Sequence, residues 1–266
     1  MEKHDYEASW RGRLHQTRER PIRRRNVVDD GFFSWMANGA RFTGTWEMPA
    51  IEACSSTKIP LGAVPFSQLK KRLPGDCIVF FENDPLFADA LLGADKFLAS
   101  LREAGCCATP DCSVYRDMPF AIQPANIYLS RLWGSYVQSQ GIASLIPTCR
   151  WGDERTYEPY LTDEPVAFVG LPKKSMYWVG TYGLCQNREN RRHLEAGLAA
   201  MIEYLQPRTI LVYGSMPHSV FDPHLHKCSF VLYPDWVTRC HSGIRREASR
   251  GLDAVLTQGA EETNRG

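Results

Sequence analysis

Short apolar runs alternate with longer amphipathic segments along most of the chain. The runs CIVFF from Cys77 and TILVY from Thr209 are unbroken and rich in β-branched residues, which is typical of strands buried on both faces. In the longer segments apolar side chains recur every three or four residues, which indicates helices. The pattern predicts strands at 77–81, 106–109, 143–149, 167–171, 176–180, 209–213 and 230–232, and helices at 86–104, 119–140 and 187–205.

The repeated strand–helix order predicts an α/β fold made mostly of parallel β/α repeats. Parallel strands need long crossover connections, and helices in those connections cover the sheet. The confident strands are too few for a complete eight-stranded barrel. An incomplete or distorted TIM-like barrel and an open doubly wound sheet therefore both remain open.

Four regions are predicted from shifts in composition. Residues 1–25 form a basic, partly disordered arm, and residues 26–75 form an irregular, aromatic and turn-rich layer with a short strand near 61–64. Residues 76–236 form the α/β core. Residues 237–266 form a C-terminal helix and a polar tail.

Composition and charge describe an ordinary globular protein. The chain has 266 residues, 44% hydrophobic and 23% charged, with a net charge of +1. Binding of a polyanion by bulk charge alone is therefore excluded, and no apolar run approaches the roughly 20 residues that span a bilayer. The nine cysteines lack the spacing of a disulfide scaffold, which favours a reduced cytoplasmic compartment.

The N-terminal arm is the exception to the balanced charge. Seven arginines fall between Arg11 and Arg25 against the single acid Glu19. Such an arm is either a solvated segment or a phosphate-binding one, since each neutralised phosphate releases counterions and adds affinity without sequence preference. The arginines assigned to nucleic-acid binding are Arg11, Arg13, Arg23, Arg24 and Arg25.

Polar clusters follow several of the predicted strands. They are ATPDCSVYRD from Ala108, RWGDE from Arg150, TYG from Thr181 and YGS from Tyr213. Loops at the carboxyl ends of parallel strands converge on one rim, where ligands bind in such folds. The clusters therefore predict one site on that rim.

Carboxylates that meet at this rim could serve as acid, base or nucleophile, as in the cleavage of glycosidic bonds. Arginines there could clamp a phosphate, and aromatic side chains could stack on a base. The structural alternatives are that Asp111 caps its turn, Asp117 pairs with Arg116, the other arginines form ion pairs and the aromatics cover the core. The candidate catalytic residues are Asp84, Asp111, Asp117, Asp153 and Glu154, and the candidate substrate-binding residues are Tyr115, Arg116, Gln123, Asn126, Arg131, Arg150, Trp151, Thr181, Tyr213 and Ser215.

The cofactor stays unknown from the sequence, although a divalent metal is compatible with it. Magnesium could bind the oxygen ligands Asp84, Asp111, Asp153 and Glu154. Zinc could bind the irregular set His218, His224, His226 and Cys228. Neither GxGxxG nor GxxxxGK[ST] occurs, so no nucleotide-binding motif is present.

Four ordered motifs carry a resemblance to a known family. TPDCSVYRDMPFAIQ, IPTCRWGDE, YWVGTYG and TILVYGSMP, read in this order, resemble DUF4417, a family of uncharacterised bacterial, phage and mobile-element proteins. The resemblance spans roughly residues 79–236. It departs from the family at Thr109, where serine is more usual, and it implies no established activity.

The association with phages and mobile elements favours an enzyme that acts on nucleic acid or nucleotides. Base excision or exchange by a glycosidase or transglycosylase and phosphodiester hydrolysis by a hydrolase fit the same residues. The main alternative is a non-catalytic DNA-binding replication or regulatory protein. A third hypothesis is a small-molecule enzyme with an incidental basic arm.

Overall fold

Nine strands occur in the residues that the structure describes. The computed structural model describes residues 33–142, 144–185 and 187–241. In order, the strands are β1 (Phe42–Thr43), β2 (Met48–Pro49), β3 (Gly62–Pro65), β4 (Asp76–Val79), β5 (Cys107–Ala108), β6 (Leu145–Ile146), β7 (Met176–Gly180), β8 (Thr209–Tyr213) and β9 (Ser229–Tyr233).

Strands β3 to β9 form two parallel sheets, with orders β3-β4-β5-β6 and β7-β8-β9. One parallel bridge, between Thr148 and Trp178, joins them. There the Trp178 N–H donates to the Pro147 carbonyl and the Cys149 N–H donates to the Trp178 carbonyl, both over 2.9 Å. The predicted α/β class with parallel pairing is confirmed. Within the described residues the strands follow chain order, without the reversal that defines a doubly wound sheet.

Side chains from strands far apart in the sheets meet in the core. Phe81, just after β4, stacks on Tyr213 of β8 with ring centroids 5.0 Å apart. Trp178 of β7 contacts Tyr233 of β9 at 4.8 Å. The Tyr233 hydroxyl also donates a 2.6 Å hydrogen bond to the carbonyl of Pro60, shortly before β3. The end of β9 therefore lies close to the start of β3, the first of the parallel strands.

Two long helices confirm the helical predictions most closely. The helices of the described ranges are α1 (Ala88–Leu92), α2 (Leu98–Ala104), α3 (Ile122–Ser139), α4 (Glu154–Tyr157), α5 (Arg188–Leu205), α6 (His218–Phe221) and α7 (Trp236–His241). Helix α5 begins after Asn187, whose side chain accepts hydrogen bonds from the N–H groups of Glu189 and Asn190. Gly141 follows α3 with φ +85°, as expected of a residue that ends a helix.

The predicted continuous helix at 86–104 is wrong in detail. Helices α1 and α2 are separated by a 3₁₀ turn, Ala94–Phe97. Gly93 interrupts the helix with φ −155° and ψ 56°. Glycine within a helix costs about 1 kcal/mol relative to alanine, which weakens the alternative of one continuous helix.

The predicted strand at 167–171 is also wrong. Residues 166–170 form consecutive turns, although all of them are buried. Gly170 has φ +83°, and a Cβ atom there would lie 2.6 Å from the Pro49 carbonyl oxygen. Its own carbonyl accepts from the Ile51 N–H over 2.8 Å, so the segment packs on the N-terminal layer instead of entering a sheet.

The N-terminal layer contains an antiparallel β1–β2 pair, and the strand expected near 61–64 is confirmed as β3. The predicted division into arm, layer, core and tail stays a prediction. The basic arm with Arg11, Arg13, Arg23, Arg24 and Arg25 lies outside the described residues, as does the chain after His241.

All nine cysteines fall within the described ranges, and none forms a disulfide. No helix among the described residues has the length and apolar character needed to cross a bilayer.

Candidate functional site

A pocket of about 280 Å³ opens where β5, β6 and β7 end. Residues from three of the four strand-end clusters line this pocket, whereas the cluster from Tyr213 does not. Three loops and the first turns of α5 line the pocket, through Val114, Tyr115, Arg116 and Asp117, then Arg150, Trp151 and Gly152, then Tyr182, Gly183 and Leu184, and finally Asn190, His193 and Leu194. Five predicted site residues are thus brought together, namely Tyr115, Arg116, Asp117, Arg150 and Trp151.

Two threonines set the register of the loops behind the pocket. The Thr148 N–H donates to the Thr109 hydroxyl over 2.9 Å, and the Thr148 hydroxyl donates to the Thr109 carbonyl over 2.8 Å. Asp111 and Arg150 each follow two residues later. This reciprocal pair therefore brings their side chains side by side.

Asp111 and Arg150 form an ion pair that leaves part of each group unsatisfied. Arg150 Nη1 lies 3.4 Å from Asp111 Oδ2, and the side chains are 18% and 10% exposed. The buried atoms Asp111 Oδ1 and Arg150 Nε have no hydrogen-bond partner. Burial raises the pKa of Asp111 from 3.8 to about 6, because the lowering effect of Arg150 is smaller than the cost of burial and Asp84 raises the pKa further.

The raised pKa of Asp111 predicts a pH-dependent stability. Because the folded pKa exceeds the unfolded one, stability from this group is lost as pH rises from about 4 through 6. Two pKa units correspond to roughly 3 kcal/mol. We expect the wild type to lose about 3 kcal/mol relative to Asp111→Asn between pH 4 and pH 7, measured by urea unfolding at each pH. Exposed Asp163 offers a control, and identical pH slopes for Asp111→Asn and the wild type would contradict the prediction.

Asp84 lies at the end of a chain of hydroxyl groups that starts at the pocket. Its Oδ2 accepts from the Ser113 N–H over 3.0 Å and its Oδ1 from the Ser113 hydroxyl over 2.7 Å. Ser113 Oγ lies 3.1 Å from the Tyr115 hydroxyl oxygen. Since the single Ser113 hydroxyl proton points to the carboxylate, Tyr115 must supply the proton of the second bond. Asn126 steadies the loop by donating to the Ser113 carbonyl over 2.6 Å.

Asp153 and Glu154 do not join this pair of carboxylates. Asp153 caps α4 by accepting from the Arg155 N–H, and it forms a 2.6 Å ion pair with the Arg155 guanidinium. Burial alone would raise the pKa of Asp153, but hydrogen bonds from Arg155 and Gln123 outweigh it and lower the pKa. Glu154 is 61% exposed and lies 3.7 Å from His193 Nδ1.

Gln123 is fully buried behind the pocket wall. Its amide donates to the Met118 carbonyl over 3.2 Å and to Asp153 over 3.4 Å. Its side-chain oxygen has no partner, and a Cβ atom on Gly152 would lie 2.6 Å from that oxygen. Gln123 thus braces the loop that contains Arg150 without lining the pocket itself.

Arg116 ties the first pocket loop to helix α5. Its Nε donates to Asn190 Oδ1 over 2.9 Å, and its Nη1 lies 2.7 Å from Glu189 Oε1. Two of its five N–H donors are therefore used within the protein, and Glu189 balances its charge. Asp117 beside it is exposed at the pocket.

Arg131, expected at the site, does not reach the pocket. It is 1% exposed and donates to the carbonyls of Val169, Thr148 and Ala167. Burial lowers the pKa of Arg131 to about 10. Its guanidinium therefore supplies hydrogen-bond donors to buried backbone carbonyls, two of them in the turns at 166–170.

Thr181, Tyr213 and Ser215 also lie away from the pocket lining. The Thr181 hydroxyl donates to the Ser215 carbonyl over 2.6 Å, which links the ends of β7 and β8. The Tyr213 hydroxyl accepts from the Trp236 N–H over 2.8 Å, and its ring is 2% exposed. Ser215 is exposed beyond this link.

Several pocket residues were not among the sequence candidates. Tyr182 lies in a loop that the sequence singled out, but only Thr181 of that loop was selected. Asn190 and His193 belong to the polar start of α5. Trp151 donates to the His193 carbonyl over 2.9 Å, so the helix start is held against the pocket. The sequence does contain signals for these residues, namely an aromatic residue in a strand-end loop and a polar first turn of a helix.

The described residues contain no group of three or more His, Cys, Asp or Glu side chains that could hold a metal ion. The four oxygen ligands considered for magnesium are therefore not assembled, because Asp153 turns to Arg155 and Glu154 is exposed. His218 instead lies 3.2 Å from Asp222 on the surface.

Two phage proteins are similar to this chain in sequence. The chain is 31% identical over 144 residues to the Gene 1 protein of Mycobacterium phage L5, covering 54% of this chain and 59% of that protein. It is 28% identical over 178 residues to the Gene 1 protein of Mycobacterium phage D29, covering 65% and 62%. The chain thus spans about three fifths of the length of these relatives. No solved structure matches it significantly.

The family resemblance of the four motifs is confirmed by a match that is longer than the motifs themselves. The family model covers residues 40–232, which include β1 to β8 and all the pocket residues. Since this match spans well over half of the chain, the protein belongs to the family described as a domain of unknown function, DUF4417.

Proposed function

We propose that the protein is an enzyme that acts on nucleic acid or nucleotides, with Arg150 in the pocket lining and Asp111 paired to it just behind the lining. The observation that carries the proposal is their half-satisfied buried ion pair beside the strand-end pocket. Buried polar groups in folded proteins are normally paired, and groups with perturbed pKa values gather at functional sites. Asp111 has both an unpaired buried oxygen and a raised pKa.

We infer that the two sheets are the halves of an incomplete, distorted TIM-like barrel. Supporting observations are the chain order of the strands, the Thr148–Trp178 bridge and the Tyr233–Pro60 hydrogen bond between the two ends. In barrels of this kind the loops at the carboxyl ends of the strands carry the active site. The pocket lies at those ends.

Asp111 is suited to act as a general acid. A carboxyl group with a pKa of about 6 is protonated in roughly one molecule in ten at pH 7, far more often than an ordinary aspartate. It could donate that proton to a leaving group and be left as an anion beside Arg150. The guanidinium would stabilise the charge that forms.

Asp84 is suited to act as the base, through Ser113 and Tyr115. A water molecule in the pocket would give its proton to the Tyr115 oxygen as the Tyr115 proton moves to Ser113 and the Ser113 proton moves to Asp84. The water becomes a nucleophile and Asp84 gains one proton. Acid–base cleavage of a bond uses two carboxyl groups in different environments, and Asp111 and Asp84 differ in their hydrogen-bond partners.

The same arrangement favours base excision or exchange over phosphodiester hydrolysis. Glycosidic cleavage needs one acid and one carboxylate, and Asp111 and Asp84 meet that need. Many phosphodiester hydrolases use two metal ions held by clustered carboxylates. Such a cluster is absent from the described ranges.

Asp111→Asn tests the proposal. The amide keeps the size of the side chain but cannot donate an acidic proton, so turnover is expected to fall at least about 100-fold while binding is retained. Turnover is measured by mass spectrometry on a panel of nucleosides, nucleotides and single- and double-stranded DNA and RNA. Binding of the same panel is measured by calorimetry.

Asp163→Asn is the matched control, since it removes an exposed carboxylate outside the pocket. It should leave turnover unchanged. The enzyme proposal fails if the wild type binds DNA but converts no member of the panel, which would instead favour the non-catalytic DNA-binding alternative. Unchanged turnover in Asp111→Asn would remove Asp111 from the chemistry.

A further inference from the structure

Arg150 is a buried cation with little compensation. Its guanidinium offers five N–H donors, yet its ion pair with Asp111 is a single contact of 3.4 Å and its Nε has no partner. The side chain is only 18% exposed, so water cannot fully replace the missing bonds. A charge held in this way favours an anionic ligand.

Arg116 differs from Arg150 in the same pocket. It is already bound to Asn190 and to Glu189, whose carboxylate neutralises it. Of the two guanidinium groups in the described pocket lining, that of Arg150 has fewer contacts within the protein and is the better placed to bind an anion. The positive charge of one guanidinium matches a ligand with one phosphate group better than it matches a di- or triphosphate.

The other feature of the pocket is exposed aromatic surface. Tyr115 is 55% exposed and Tyr182 is 70% exposed, and both line the pocket. Apart from the residues adjacent in the chain, no described atom lies within 4 Å of the position that a Cβ atom on Gly183 would take, so there is open space beside Gly183. Aromatic side chains exposed beside a cationic group are the usual means by which proteins stack the bases of single-stranded nucleic acid.

The size of the pocket limits the ligand. Its volume of about 280 Å³ is just below the range of small-molecule sites, roughly 300–1,000 Å³. The geometry points to a pocket that takes one nucleoside monophosphate unit, with the phosphate on Arg150 and the base against Tyr115 and Tyr182. This inference rests on the proposed function and names its substrate class. The unit is either a free nucleotide or a nucleotide turned out of a strand, since the recognised chemistry is the same.

Calorimetric titration of the full chain tests this assignment. The probes are the four deoxynucleoside 5′-monophosphates, the matching nucleosides, inorganic phosphate and a short single-stranded oligonucleotide with and without one abasic site. We expect at least one monophosphate to bind about tenfold or more tightly than its nucleoside and than phosphate alone. If the intact oligonucleotide binds more tightly than the monophosphate and the abasic oligonucleotide does not, the natural ligand is a nucleotide within a strand. If the monophosphate binds more tightly than the intact oligonucleotide, the natural ligand is a free nucleotide.

Substitutions at Arg150 and at Tyr182 test the phosphate contact and the base contact separately. Arg150→Gln should reduce monophosphate affinity to that of the nucleoside, and Arg150→Lys should restore part of the difference because it keeps the charge. Tyr182→Ala should weaken nucleoside and monophosphate by the same factor, about tenfold, since it removes only stacking. Arg41→Gln, which removes an exposed arginine paired with Glu52, is the control and should match the wild type. Thermal unfolding confirms that each variant is folded.

The assignment is overturned if no monophosphate or oligonucleotide binds, or if Arg150→Gln binds monophosphates as the wild type does. These outcomes are distinct from failure of the proposed enzyme. Loss of turnover in Asp111→Asn together with unchanged nucleotide binding in Arg150→Gln would leave the enzyme standing and refute the pocket assignment. Nucleotide binding that depends on Arg150, without any turnover, would support the pocket and refute the enzyme.

Discussion

Arg131→Met is expected to lower the free energy of unfolding by about 3 kcal/mol or more. Methionine fills much of the same space but leaves the carbonyls of Val169, Thr148 and Ala167 without their donor. Each unsatisfied buried polar group costs about 1–3 kcal/mol, and the relief from burying one cation less offsets part of the sum. Urea unfolding followed by circular dichroism measures the change.

Arg102→Met provides the matched control, because Arg102 donates to a single carbonyl, that of Gln140, at the surface. Its loss should cost less than about 1 kcal/mol. Arg131→Lys should recover only part of the stability, because one ammonium group cannot reach three carbonyls in the directions of a planar guanidinium. If Arg131→Met unfolded at the wild-type urea concentration, the anchoring of residues 166–171 by Arg131 would be disproved.

Arg239→Ala is expected to cost about 3–5 kcal/mol. Arg239 in α7 donates to both oxygens of Asp76 over 3.0 and 3.1 Å and to the Ala63 carbonyl over 2.7 Å. Asp76 is only 3% exposed, so removal of the cation leaves a buried, uncompensated carboxylate. The contact also joins α7 to β3 and β4, the strands at one end of the larger sheet.

A double-mutant cycle with Asp76→Ala measures the Asp76–Arg239 interaction directly. Because both variants disrupt the same contact, their combined cost should be well below the sum of the single costs. Arg41→Ala, which breaks the exposed pair with Glu52, should cost no more than about 1 kcal/mol. Additive costs for Asp76→Ala and Arg239→Ala would show that the contact contributes nothing to the stability of the fold.

The residues of the pocket could be predicted from the sequence only in part. Tyr115, Arg116, Arg150 and Trp151 were predicted because each follows a recognisable strand, and loops at the same ends of parallel strands converge. Asn190 and His193 were missed because their place depends on how α5 packs against Trp151. The sequence shows that the helix begins with polar residues, but it does not show which loop that end meets.

The errors at Arg131 and at residues 167–171 have one physical cause. The buried apolar segment resembles a strand, and a charged residue on an amphipathic helix resembles a ligand contact. In the structure the segment forms turns whose carbonyls lack a sheet partner, and Arg131 supplies the missing donors. The sequence around Arg131 does not show that residues 167–171 need hydrogen-bond donors, and the sequence of that segment does not show that Arg131 supplies them. Their dependence on each other becomes visible only in the folded structure.

The sequence by itself determined the α/β class, the two long helices and the rim at which polar loops gather, because periodicity and turn residues act locally. Tertiary structure decided which charged groups face the pocket and which face the backbone. It leaves Arg150 only partly compensated beside Asp111 and buries Arg131 among carbonyls. The reason is that the partners of a buried charge come from residues distant in the chain, and their positions depend on packing rather than on local pattern.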